Sequence, residues 1–276
     1  MMNKLLVFIV LSLMPICINA ANDKEVDSIF VERLLASGHT DVLWFAKQFI
    51  GRPYVAHTLE INREETLVVN TREVDCTTFV ENVLALTMCS RRGERCFSDF
   101  KHQLMQLRYR KGVINAYPSR LHYFSDWIID NESMGYVTEI QKPTSLFSEL
   151  QTVSVHWMST HPGSYRALRE NPDFSDVIKQ QEQKLTGKQC RFIPTRNVVN
   201  NKLMRETVHD GDVIATVSTK NGLDIAHLGF AIWKNGVLCF LDASSIHKKV
   251  VVEPTSLRQY LTKRKQVCGF RLIRLK

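Results

Sequence analysis

Three residues have the types and surroundings that acyl-transfer chemistry needs. Cys76 follows Val74-Asp75 and opens the run Thr77-Thr78-Phe79-Val80, whose apolar character predicts a helix over Thr78–Met88. A cysteine at a helix start meets the positive end of the helix dipole and unpaired backbone N–H groups. These favour a thiolate and can receive an oxyanion. His227 begins the apolar stretch Leu228-Gly229-Phe230-Ala231-Ile232. A neutral imidazole there can take the thiol proton and later give it to a leaving amine. Asp242, in Phe240-Leu241-Asp242-Ala243-Ser244, can hold that imidazole in one tautomer and stabilise its charged form. Each residue alone has a plainer explanation: a buried thiol, a core histidine satisfied by backbone, a carboxylate capping a loop. Together they form a nucleophile, a base and an orienting group.

The elements that must position them follow from periodicity. Residues 28–110 read as helical. Ile29, Leu34 and Leu35 start an amphipathic stretch, and Thr40 or Asp41 caps a second helix carrying Val42, Trp44, Phe45 and Phe49, which Gly51 ends. Ser98 caps a helix with Phe100, Leu104 and Leu107 on one face. The C-terminal part alternates with period two. Strands are predicted over Asp212–Val217, Leu228–Trp233, Val237–Leu241, Val250–Val252 and Gly269–Leu275, with helical turns over Ser256–Thr262. Asn235-Gly236 is a two-residue hairpin turn, and that register puts Asp242 opposite Gly229, diagonal to His227 on the same face. Between these halves, residues 111–208 are Pro-rich and irregular, with short helices expected near Ser119–Asp130 and Ser164–Gln180 and strands near Gly135–Ile140 and Cys190–Ile193. Helices followed by an antiparallel meander make an α+β layout.

Composition narrows the class. The chain has 276 residues, 44% hydrophobic and 23% charged, which suits one large globular domain or a domain with an insertion. Lys4, the apolar run Leu5–Ile16 and the small-residue end Ile18-Asn19-Ala20 have the grammar of an export signal cleaved after Ala20. That run is short for a membrane span, so no stable membrane anchor is expected. The expected organisation is a leader over 1–20 and one catalytic domain over 21–276, destined for the periplasm, with 111–208 as an insertion that contributes to the substrate cleft. The net charge of +8 drops to +7 when Lys4 leaves. The basic residues are scattered, which suits a solvated surface with a mild attraction for an anionic polymer and not a nucleic-acid partner. Cys76, Cys89, Cys96, Cys190, Cys239 and Cys268 remain in the mature chain, and a Cys89–Cys96 bridge is allowed but not required. No Cys-x-x-Cys or Cys/His ligand spacing occurs, so neither a metal nor a cofactor is expected. A monomer is expected.

Nucleophile on a helix, base on a strand and orienting group on the next strand is the papain-like order. Asp75-Cys76-Thr77-Thr78-Phe79-Val80, Gly211-Asp212-Val213-Ile214, His227-Leu228-Gly229-Phe230 and Leu241-Asp242-Ala243-Ser244 resemble the NlpC-type papain-like cysteine hydrolases. Two positions depart from that pattern: Thr78 stands where glycine is usual, and Asp242 where histidine is frequent. Gly51-Arg52-Pro53-Tyr54, Thr58-Leu59-Glu60, the extension Glu81-Asn82 and Ser119-Arg120-Leu121-His122-Tyr123-Phe124-Ser125-Asp126-Trp127 are similar to the N-acetylmuramoyl-L-alanine amidase-like branch. The resemblance implies an NlpC-type fold, with nucleophile-bearing helices on an antiparallel sheet. It also implies metal-free cleavage between the muramyl sugar and L-Ala in muropeptides, in cell-wall turnover or recycling. It implies substrate contact by Tyr54. Ser119, Arg120 and Tyr123 are further candidates, Arg120 because a guanidinium can fork onto a peptide carboxylate. An endopeptidase acting within the stem peptide would use the same residues. A non-catalytic wall-binding protein would have no use for an activated thiol.

Overall fold

The computed structural model describes residues 15–276. The first fourteen residues of the expected leader lie outside the described residues. Helix α1 (Pro15–Ala36) runs through the Ala20–Ala21 junction. Helices α2 (Val42–Lys47), α3 (Cys76–Arg91) and α4 (Phe97–Arg108) follow, and the central segment supplies α5 (Phe124–Ser133), strands β1 (Val137–Ile140) and β2 (Glu149–Thr152), α6 (Trp157–Thr160), α7 (Arg166–Glu170), α8 (Pro172–Leu185), β3 (Gln189–Pro194) and α9 (Lys202–Thr207). The chain ends with β4 (Val213–Ser218), β5 (Ile225–Lys234), β6 (Val237–Ser244), β7 (Lys249–Val252), α10 (Leu257–Thr262) and β8 (Val267–Leu275). No helix among the described residues is long and apolar enough to cross a membrane.

The eight strands form one sheet in the order β2-β3-β8-β4-β5-β6-β7, with β1 also paired to β8, and every pairing is antiparallel. Side-chain alternation covers both faces. Leu228, Phe230, Leu241 and Ala243 point into the core shared with α1–α5, while Ala231, Leu238 and Phe240 point into a second core with Leu257, Tyr260 and Leu261. The central segment is woven into this frame: β1 and β3 both pair with β8.

Helix α3 is the keystone of the helical layer. It is buried without a break from Thr78 to Ser90, so it reads apolar all round instead of showing one stripe. Phe79 meets Phe230 of β5 edge-on, with centroids 5.3 Å apart, which fixes the helix start over the sheet. Glu81 is tolerated in this helix because Arg108 of α4 pairs with it at 2.6 Å and also donates to the Val68 carbonyl.

The hairpin turn forms as predicted. Asn235 and Gly236 both have positive φ (49° and 75°), the signature of the turn that matches strand twist. The resulting register sets Asp242 opposite Gly229. All six described cysteines are free thiols, and Cys89 and Cys96 are not bridged.

Candidate active site

Asp75 caps α3. Its Oδ1 accepts the Thr78 N–H at 2.8 Å, and Thr78 Oγ1 accepts the Asp75 N–H at 2.9 Å. This capping box gives Thr78 a local task at the position where the resemblance leads one to expect glycine. Cys76 is therefore the first residue of the helix, and its own N–H and that of Thr77 have no partner within the helix. The strand-like segment before the helix is strapped down from outside. Val74 donates to Pro53 and accepts from Val55 (both 3.1 Å), and Tyr54 donates to Lys248 at 2.9 Å. Those bonds carry Tyr54 toward Cys76. Its phenol is pushed up to about 12, first by burial and then by the negative charge of Cys76 and Asp75.

His227 stands beside an irregularity in β5. Thr216 faces His227 but Val217 faces Ile225, so Ala226 is an extra residue that re-aims its neighbour. The His227 Nε2 is 2.6 Å from Asp242 Oδ2, and Asp242 is fully buried. The imidazole and the Cys76 side chain line the same cavity. With Nε2 engaged by Asp242, Nδ1 is the nitrogen left for the thiol. Gly229 lies between the two partners on the same side of the sheet. A Cβ there would come within 2.6 Å of the Leu241 carbonyl and 2.7 Å of the Phe240 ring, and that ring meets His227 with centroids 5.9 Å apart. Burial works against a charged imidazole, but the Cys76 thiolate and the Asp242 carboxylate outweigh it and raise His227 to about 10. Burial also raises Asp242, against the lowering contributed by His227.

Cys76 and His227 share a cavity of about 190 Å³ whose wall includes Tyr123, Met158 and Tyr165 from the central segment. The other expected site residues divide. Tyr123 lines this cavity with its ring, while its hydroxyl donates to Glu182 at 2.6 Å and accepts the Met158 N–H at 2.9 Å. Arg120 does not line it: the side chain is buried in ion pairs with Glu60 and Glu65 and lies over the Tyr117 ring. Ser119 closes its own turn, with Oγ accepting from Asn115 and donating to Ala116. Two further residues line the cavity: His122, which lies in the Ser119–Trp127 stretch without a role expected of it, and Asp224, which the sequence did not single out. Among the described residues, no group of three or more His, Cys, Asp or Glu side chains is disposed to hold a metal ion.

Comparison with known proteins gives a consistent picture. Residues 44–270 match the family described as N-acetylmuramoyl-L-alanine amidase-like, or AmiA-like. An N-acetylmuramoyl-L-alanine amidase from Bacteroides uniformis is 37% identical, with 87% of this chain and 99% of that one covered at a TM-score of 0.81. A Bacteroides fragilis protein named as a candidate xylanase is 38% identical over 84% of this chain and 99% of its own, with a TM-score of 0.78. A Legionella pneumophila protein, 22% identical over 93% of this chain and 97% of its own, shares the fold at a TM-score of 0.69. A search of curated proteins finds no match.

Proposed function

The chain belongs to the N-acetylmuramoyl-L-alanine amidase-like family, and from that membership we propose that it is a cysteine amidase cutting the bond between N-acetylmuramic acid and L-Ala in peptidoglycan fragments. The observation that carries the mechanism is the helix-start Cys76 in one cavity with His227, whose Nε2 is bonded to the buried Asp242. In this reading Cys76, His227 and Asp242 are the working residues of a papain-like, NlpC-type site, and Tyr54 and the Tyr123 ring border the bound substrate. The role expected of Arg120 as a fork for a peptide carboxylate gives way to a bracing role, because its guanidinium is already committed to two glutamates. Ser119 shapes the adjoining turn. The leader over 1–20 and action on periplasmic fragments during wall turnover belong to the same reading.

The chemistry runs in two halves. The Cys76 thiolate attacks the lactyl carbonyl of the muramyl group, and the carbonyl π pair moves onto oxygen. The N–H groups at the start of α3 can receive that oxyanion. Collapse expels the L-Ala amine, which takes the proton from His227 and leaves a thioester on Cys76. Water, deprotonated by His227, attacks the thioester and returns the thiolate and a free carboxylic acid. The xylanase description of the B. fragilis relative does not suit this cavity, since glycoside hydrolysis uses two facing carboxylates and the described lining of the Cys76 cavity has one, Asp224.

Mass spectrometry of digested muropeptides tests the bond. Release of an intact stem peptide beginning with L-Ala is expected. Retention of L-Ala on the sugar would move the cut into the stem peptide.

A further inference from the structure

A second cavity, of about 160 Å³, lies on the Asp242 side of His227. His227 borders both cavities, and Thr216, Asp242, Ser244, Tyr260 and Arg264 are among the residues that line this one. Two buried polar atoms beside it are unpaired. Asp242 is fully buried and gives Oδ2 to His227, yet its Oδ1 has no hydrogen-bond partner among the described residues. Arg264 Nε is in the same position. A buried carboxylate oxygen and a buried N–H each cost free energy when left unpaired. One accepts, the other donates, and both residues border the same space. That space is polar and has room for water, which satisfies such groups in protein interiors.

The fold fixes Arg264 at this cavity. The residue lies in the turn between α10 and β8, where its N–H donates to the Leu261 carbonyl at 3.0 Å and its own carbonyl accepts from Val267 at 3.3 Å. The guanidinium lies over the Tyr260 ring, 4.3 Å from its centroid. Tyr260 packs on Phe240, whose ring meets His227. The charges around Asp242 come from several elements. Burial raises its carboxyl first; His227 of β5 and Arg264 lower it, and Glu253 after β7 raises it further. Glu253 is itself held by Ser244 at 3.0 Å and His247 at 3.3 Å. Burial, helped by the charge of Asp242, keeps the Tyr260 phenol of α10 neutral. Cys76 lies beyond His227, in the other cavity.

We propose that Arg264 is a positioning residue for the His227–Asp242 pair: its Nε–H, joined to Asp242 Oδ1 through water in this cavity, holds the carboxylate with Oδ2 aimed at the imidazole. A carboxylate anchored at one oxygen does not swing about its Cβ–Cγ bond, so the imidazole keeps one tautomer and one direction. The guanidinium also balances the carboxylate's charge. The inference rests on the reading of Cys76, His227 and Asp242 as the working residues of an amidase.

Two readouts keep this role distinguishable from the amidase reading. The downfield NMR signal of the His227 N–H bonded to Asp242, followed as pH falls, reports when the carboxylate takes a proton and needs no substrate; its absence in Asp242→Asn assigns it. Turnover of N-acetylmuramoyl-L-Ala-D-Glu gives kcat and KM. The variants are Arg264→Met, which keeps cover over Tyr260 without charge or donor, Arg264→Gln as a second neutral change, and Arg264→Lys, which keeps the charge. Taking a cation from beside Asp242 raises its affinity for protons. The acid midpoint of the signal should therefore move up by about half a unit to one unit in the neutral variants, and kcat should fall on the order of tenfold with KM little changed. Arg264→Lys should restore most of the midpoint. In an Asp242→Asn background, Arg264→Met should cost little further kcat, because it acts through that carboxylate. An unmoved midpoint in both neutral variants, an equal shift in Arg264→Lys, or a full loss of kcat in the Asp242→Asn background overturns the role. Wild type that shows the signal but leaves the muramoyl peptide uncut overturns the amidase reading, and the midpoint still decides the role of Arg264.

Discussion

In the proposed mechanism the proton on His227 sets the pH range in which the site works. Because the thiolate and Asp242 raise His227 to about 10, the imidazole stays charged through neutral pH and loses its proton only as pH climbs through that value. The leaving amine needs this proton, so kcat/KM should hold through neutral pH and fall on an alkaline limb near 10. Asp242→Asn removes the negative charge that helps hold the imidazolium. Its alkaline limb should move down by about one unit, with roughly a twofold loss at pH 9 that approaches tenfold above pH 10. A pH–rate profile checks this, and an unmoved limb would mean that another group supports His227. At this scale the sequence was informative about residue types and about the His227–Asp242 pair, and silent about the partners that the central segment brings. Cys76, His227 and Asp242 advertised themselves by position on predicted elements. His122 and Asp224 did not, since their place in the cavity wall depends on folding the central segment against the loop before β5. Arg120 was misleading for the same reason: nothing in its local sequence reveals that Glu60 and Glu65 close on it.

The elements that hold these residues obey local rules unevenly. The Asn235-Gly236 turn fixed the β5–β6 register, and the Asp242–Gly229 pairing follows from it. The bulge at Ala226 has no comparable signal, yet it aims His227. Helix α3 begins two residues earlier than its apolar run suggests, because Asp75 and Thr78 build a capping box around Cys76. Strand β2 was missed because Glu149-Leu150-Gln151-Thr152 is polar and alternates between partly covered and exposed positions at a sheet edge. Gly229 ties the register to the site. Gly229→Ala would drive a methyl into the Leu241 carbonyl and the Phe240 ring. It should cost about 1–3 kcal/mol of stability by denaturant titration and lower kcat/KM at 25 °C by displacing His227 from Asp242. Unchanged values for both would show that the hairpin relaxes without cost.

Across the whole molecule, the central segment is built into the sheet instead of hanging from it. Arg271 of β8 is 1% exposed and binds Glu139 of β1 through Nε and Nη2, while its Nη1 donates to Ser125 beside the cavity wall. Opening this pair leaves a buried guanidinium without its carboxylate. Glu139→Ala should therefore cost about 3–5 kcal/mol. Wild type should unfold in urea in one transition seen alike by tryptophan fluorescence and circular dichroism, because β1 and β3 pair with β8 in the sheet that holds the β5–β6 hairpin. Separate transitions would make residues 111–208 an independent unit. The α+β arrangement was readable from the change of period along the chain, but the weave was not. It depends on long-range pairing of β1 and β3 with β8, which local patterns do not encode.

The central claim is that Cys76 carries the muramyl half of the substrate as a thioester. Rapid acid quench of enzyme mixed with excess N-acetylmuramoyl-L-Ala-D-Glu, followed by peptide mass mapping, reads it directly. The account predicts an N-acetylmuramoyl adduct on the peptide containing Cys76, none in Cys76→Ala, and loss of turnover in that variant. A stem-peptide fragment on Cys76, or undiminished turnover in Cys76→Ala, would contradict it.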